Sequence, residues 1–187
     1  MDDHTRIPPR AVVHQEGVVA LLAVAGLGLR DGTPLTGLAP RGGLVAGLGA
    51  GLLAALVLSA ALWGLERSGV PGMARLVAWQ RRLVSGWGPA EAMAVAVFSG
   101  LAEEAFVRAL LQPWIGLVPA ALVFGLLHLP PSREAWFWPV MAFGLGIALG
   151  LVFARWGYPA AAAAHAGINA LGFLRLLRGG AGDGTGV

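Results

Sequence analysis

The chain is divided into about six apolar runs, each separated from the next by Arg, Gly or Pro. The runs fall near 13–29, 42–65, 89–112, 117–129, 136–154 and 158–176. A helix needs about twenty apolar residues to cross roughly 30 Å of hydrocarbon, and most of these runs are close to that length. In lipid every backbone N–H and C=O has to be paired within the chain, so such runs predict helices. The fold class is therefore all-α, a polytopic transmembrane helix bundle with residues 1–187 as one integral membrane domain. Charged residues make up 12% of the chain. Soluble domains carry about 25%, so these charges are too few to cover a surface in water.

The first run is the least regular, because His14 and Glu16 interrupt it. Arg6 and Arg10 upstream and Ala23-Val24-Ala25 within it give it features of a cleavable signal peptide. Counted from Ala11 it is long enough for a retained anchor, which is the reading we adopt.

A net charge of +3 and a pI near 11.0 raise the question of a nucleic-acid partner. The arginines are scattered between the apolar runs rather than gathered into one patch, which argues against such a partner and marks them as topology signals. On alternate sides, nine (Arg6, Arg10, Arg67, Arg75, Arg81, Arg82, Arg133, Arg175, Arg178) oppose three (Arg30, Arg41, Arg155). Both termini are thus expected in the cytoplasm. The use of Arg without Lys, with abundant Ala and Gly, suggests a bacterial genome and so a bacterial inner membrane. The absence of cysteine excludes thiolate nucleophiles, thiolate metal sites and thioether or thioester lipid anchors.

Met73 to Trp87 carries Arg75, Arg81 and Arg82 among Leu76, Val77, Trp79, Leu83 and Val84, a pattern that suits either an amphipathic surface helix or a basic loop. Small residues at helical spacing, Gly43, Gly47 and Gly51, then Gly146 and Gly150, together with the run Ala160 to Ala164, predict close helix contacts. The glycine-rich tail 179–187 is expected to be disordered.

Against this background a few polar residues stand out. The third run contains Glu103, Glu104 and Arg108, and each charge at a helix centre costs about 2.5–3.5 kcal/mol on insertion scales. Glu104 and Arg108 are one turn apart and can pair. Glu103 points about 100° away and is left without that partner, which suggests a functional carboxylate. Of four histidines, His128 and His165 lie in apolar runs, and His165 shares a helix face with Asn169 at i, i+4. A turn near Ile115 would make the third and fourth runs a hairpin, with Glu103 12 residues before it and His128 13 after it. Both then stand roughly 18–20 Å from the turn, at one level. Phe124, one turn before His128, reads as a packing aromatic. Pro130-Pro131 ends the short fourth run, and irregular backbone at that depth is tolerated where it lines a cavity.

These residues, Glu103-Glu104-x-x-x-Arg108, Phe124-x-x-x-His128 and His165-x-x-x-Asn169, resemble in order the three signature motifs of the CPBP family, the CAAX proteases and bacteriocin-processing enzymes also called Abi proteins. The resemblance covers about residues 89–176. It implies membrane-embedded proteolysis by a glutamate-dependent mechanism, in which Glu103 and His128 activate water, Glu104 and Arg108 orient the site, and His165 and Asn169 stabilise the oxyanion. It implies as substrate a membrane-associated or membrane-anchored protein or peptide: a prenylated CAAX protein in a eukaryote, a bacteriocin leader, membrane-anchored regulator or sorting tail in a bacterium.

Other protease chemistries fit less well. Aspartates occur only at Asp2, Asp3, Asp31 and Asp183, outside the runs, and no His-Glu-x-x-His motif is present. Ser99 lacks the flanking pattern of a serine nucleophile. No cofactor is expected, although Glu104, His128 and His165 could serve as ligands of a catalytic zinc. Arg108 would compete with that cation for the Glu104 carboxylate. The alternative outside enzymology is a non-catalytic membrane partner or a proton or ion relay using the same buried cluster.

Overall fold

The computed structural model describes residues 6–180 and, among them, contains helices and connecting turns with one isolated backbone bridge between Pro40 and Gly157. Helices occupy all six expected runs. Four are long and apolar enough to cross a membrane: α1 (Pro9–Asp31), α3 (Leu44–Arg67), α8 (Phe137–Trp156) and α9 (Tyr158–Gly180). α1 is preceded by Pro8 and begins with Pro9, whose fixed φ suits a first helical turn. It ends at Gly32 with φ of 72°, in the left-handed region glycine enters without steric cost. The short α2 (Pro34–Gly37) follows. α4 (Met73–Leu83) is the amphipathic helix that the sequence allowed as one of two readings. It buries Met73, Leu76 and Trp79 against Ala135 and Trp138 and leaves Arg75, Arg81 and Arg82 exposed.

The third run is continuous helix but not one regular helix. α5 (Pro89–Glu104) gives way to a π-helical segment, Ala105–Leu111, and then to α6 (Gln112–Ile115). Pro113 has no N–H to donate to the carbonyl four residues earlier, Ala109 O. Arg30 of α1 supplies the missing donor, its Nη1 reaching Ala109 O at 2.9 Å and Leu110 O at 3.1 Å. Gly116, φ 85°, turns the chain into α7 (Leu117–Leu127), which stops after 11 residues. Helical backbone thus ends one residue before His128, and a 3₁₀ turn at Arg133–Ala135 leads into α8.

α9 is the central helix, packed against both α3 and α5, while α7 lies on α8 and α1 on α5. Without water, helices associate where small residues let backbones approach. A Cβ on Gly51 would fall 2.3 Å from Ala160 O, and one on Gly100 only 2.7 Å from Ala166 N, so both crossings require glycine. The packing stripe of α3 is Gly47, Gly51, Ala55 and Ser59. Gly43, expected to begin that stripe, instead precedes the helix with φ of 104° and faces open space. Gly146 and Gly150 pack closely against Ala121, Leu117 and Gln112, and Ala160, Ala161, Ala162 and Ala164 are all buried. Large apolar side chains such as Leu21, Leu29 and Val45 point outward, as lipid-facing residues do. The chain is an integral membrane protein. The helix α9 runs through Gly180, so the first two residues of the expected tail continue it, and 181–187 lie outside the described residues.

Candidate active site

Glu104 and Arg108 are both 0% exposed, side by side at the junction of α5 and the π-helical segment. Arg108 Nε donates to Glu104 Oε2 at 3.0 Å, the i, i+4 pair the sequence suggested. The second carboxylate oxygen, Oε1, accepts from His165 Nδ1 of α9, also at 3.0 Å. That contact is possible because Gly100 brings α5 and α9 together one turn away. The Arg108 guanidinium lies 5.0 Å from the centroid of the Phe124 ring, which satisfies part of its charge where Nη1 and Nη2 have no hydrogen-bond partner.

Glu103 faces the other way, towards α7. His128 Nδ1 lies 2.8 Å from the carbonyl oxygen of Phe124. A carbonyl only accepts, so Nδ1 carries the proton, and a neutral ring then presents a lone pair at Nε2. Nε2 lies 3.6 Å from Glu103 Oε2, too far for a direct hydrogen bond and suited to one water touching both. The hairpin places these two side chains at one level, as the residue count predicted.

Asn169, one turn beyond His165 on α9, donates from Nδ2 to Ser99 Oγ at 2.8 Å. Ser99 Oγ itself donates to Ala96 O at 3.3 Å, which obliges it to accept from Asn169 and fixes the amide's orientation. Ser99 is thus held as a support rather than a nucleophile. The structure brings together all six residues singled out in the sequence. Glu103, His128, His165 and Asn169 line a cavity of about 970 Å³ that also touches Ser99, Phe124 and Glu16. Arg108 and Glu104 stand behind it.

Three participants were not recognised as such from sequence. Phe124 joins the histidines physically, its ring centroid 4.6 Å from that of His128 and 5.6 Å from that of His165, beyond the packing role assigned to it. Ser99 positions Asn169 across 70 residues of sequence. Glu16, read as an interruption of the first run, is buried in the wall of the cavity.

The zinc alternative can be tested against this arrangement. Both oxygens of Glu104 are engaged, by Arg108 and by His165 Nδ1. Among the described residues no group of three His, Asp or Glu side chains is arranged to hold a metal ion. The donor set Glu104, His128 and His165 as it stands does not fit a zinc ion, which needs ligand lone pairs directed at one point.

Residues 85–171 match the family model described as Rce1-like type II CAAX prenyl endopeptidase. Comparison with curated proteins and with solved structures gives no match. The matched segment contains the carboxylate pair, Arg108, both site histidines, Asn169 and their supports Ser99 and Phe124. Residues 85–171 thus match a model of the CAAX-protease family, the family that the three motifs resemble.

Proposed function

We propose that the chain is an intramembrane endopeptidase of glutamic type, hydrolysing peptide bonds of membrane-anchored polypeptides without a metal ion. The observation that carries this reading is the pair Glu103 and His128. A carboxylate and an imidazole lone pair, 3.6 Å apart on a cavity wall, are two acceptors for one water. The family match adds that proteolytic hydrolysis is the chemistry of this class.

In this mechanism the water oxygen attacks the scissile carbonyl carbon while one of its protons passes to Glu103. The carbonyl oxygen becomes an oxyanion. Asn169, oriented by Ser99, has a second amide N–H to offer it, and His165 has its Nε2 edge, with Nδ1 already donated to the Glu104 carboxylate. His165 can donate at Nε2 as an imidazolium, and Glu104 is the counter-charge for that form. Glu103 then returns its proton to the leaving nitrogen, the C–N bond breaks, and a carboxyl and an amine leave. Arg108 takes no part in the transfer; its Nε holds the Glu104 carboxylate in place.

The proposed setting is a bacterial inner membrane with both termini cytoplasmic, supported by the six helices and the nine-to-three distribution of arginines. The test is a comparison of membrane proteomes from cells producing wild type or Glu103→Ala, in which a membrane polypeptide accumulates uncut in the variant. If Glu103→Gln, His128→Ala and His165→Ala all insert normally and retain full biological output, the protease reading fails.

A further inference from the structure

Glu16 lies outside the family segment, and no step above uses it. It sits on α1 in the stripe with Ala23 and Leu27 that turns into the bundle, and it is 4% exposed. Its helix α1 packs against α5, and Glu16 and Glu103 line the same cavity. Neither Glu16 Oε2 nor Glu103 Oε2 receives an N–H or O–H from any described residue. His14 and Gln15, the other polar residues of this turn, are both exposed.

Two carboxylates can only accept, so a bond between them requires a proton on one of the two. Two bare charges in contact would also add to the insertion cost that each carries alone. The groups around the pair show where the proton belongs. Glu103 lies 3.6 Å from His128 at the end of α7, directly precedes Glu104 in the segment that runs on to Arg108, and shares the cavity with His165 of α9. Arg108 and a protonated His165 favour the charged form of Glu103, whereas the neutral His128 offers it only a lone pair. Hydrolysis requires Glu103 to accept from water, so it is also the acceptor within the pair.

We propose that Glu16 is a neutral acid that donates a hydrogen bond to Glu103 and holds the general base against rotation towards His128. The first helix thereby becomes part of the hydrolytic site, with Glu16 as a positioning residue. One oxygen of Glu103 takes the Glu16 proton while the other stays turned to the water. The inference rests on the hydrolytic reading of Glu103 given above.

Infrared spectroscopy of purified protein in nanodiscs at neutral pH tests the proton directly, without a substrate. Wild type shows the C=O stretch of a protonated buried carboxyl. Glu16→Gln loses that band, and Glu103→Gln keeps it at a shifted frequency because its partner has changed. A band that survives Glu16→Gln unaltered overturns the assignment. Turnover of the polypeptide that accumulates in Glu103→Ala cells gives the second readout. Glu16→Leu, similar in volume and lacking a donor, loses kcat by about 10- to 100-fold with KM within about twofold, the loss expected for one hydrogen bond to a charged group. Glu16→Gln keeps an amide donor and stays within about threefold of wild type. Glu16→Leu also unfolds at or above the wild-type temperature in detergent, so lost turnover is not lost fold. Wild-type kcat in Glu16→Leu, or an equal loss in Glu16→Gln, refutes the donor role. If Glu103→Gln itself still cleaves, the hydrolytic reading has failed; if it is inactive while Glu16→Leu is not, only the role of Glu16 has.

Discussion

Replacing Arg108 by Met separates charge balance from packing at the centre of the bundle. Met preserves much of the apolar stem and removes the guanidinium that lies 5.0 Å from the Phe124 ring centroid. Glu104 then keeps one of its two 3.0 Å partners, His165 Nδ1, and loses the permanent positive charge beside it. Both side chains are 0% exposed, so no water replaces the lost donor. Breaking a buried pair from one side costs about 3–5 kcal/mol, which shifts the unfolding equilibrium roughly 10²- to 10⁴-fold at about 1.4 kcal/mol per tenfold. The assay is reversible unfolding in mixed detergent micelles, followed by tryptophan fluorescence. The double variant Glu104→Gln/Arg108→Met removes both charges and recovers most of that stability, yet remains inactive because His165 has lost its anionic partner. A cost below about 1 kcal/mol for Arg108→Met, or a double variant no more stable than the single, would show that the pair does not carry the energetic role assigned to it.

Four further outcomes are expected. Asn169→Ala lowers kcat about 10²- to 10³-fold as an oxyanion donor, while Ser99→Ala lowers it by a smaller factor because it acts only through Asn169; steady-state kinetics on the identified substrate compare them. Gly100→Ala sets a Cβ 2.7 Å from Ala166 N and 2.9 Å from its Cα, forcing α5 and α9 apart beside His165; it costs about 1–3 kcal/mol, visible as a lower unfolding temperature together with reduced turnover. Reporter fusions after Arg6 and after Arg178 both read cytoplasm, and an external C terminus would mean an odd number of crossings. Cleavage in detergent persists through prolonged chelation, with well under one zinc per chain by elemental analysis; activity lost on chelation and restored by stoichiometric zinc would assign Glu104, His128 and His165 as ligands.

Much of the site was readable because charge in an apolar run is conspicuous and helical rise is a reliable ruler. Glu104 and Arg108 pair at the spacing that brings helix residues onto one face. Glu103 and His128 meet because two helices leaving one turn count depth alike. The π-helical segment was not readable, since its backbone partner, Arg30, lies 79 residues from Ala109 and leaves no local mark on the sequence. Glu16 was misjudged for a related reason. A helix apolar on every side gives little hint of which face turns inward, so a carboxyl on it looks like a defect until the bundle fixes its rotation. Ser99 was weighed only as a nucleophile, and what it does became visible once Asn169 was placed opposite.

The brevity of α7 has a consequence for the bilayer itself. Its 11 residues rise about 16 Å, half of a hydrocarbon layer about 30 Å thick. Beyond Leu127 the wall of the bundle is a prolyl loop and not a crossing helix, bordered by outward-facing Leu129 and Trp136. Acyl chains abutting this notch have no helix to match their full length, and the leaflet there has to thin or bend. For the proposed endopeptidase, a polypeptide entering through the notch would reach His128 after crossing only about half of the hydrocarbon layer. Lipid chain length therefore becomes a control on turnover: short acyl chains bring headgroups and water towards the carboxylates, and long ones seal the notch with hydrocarbon.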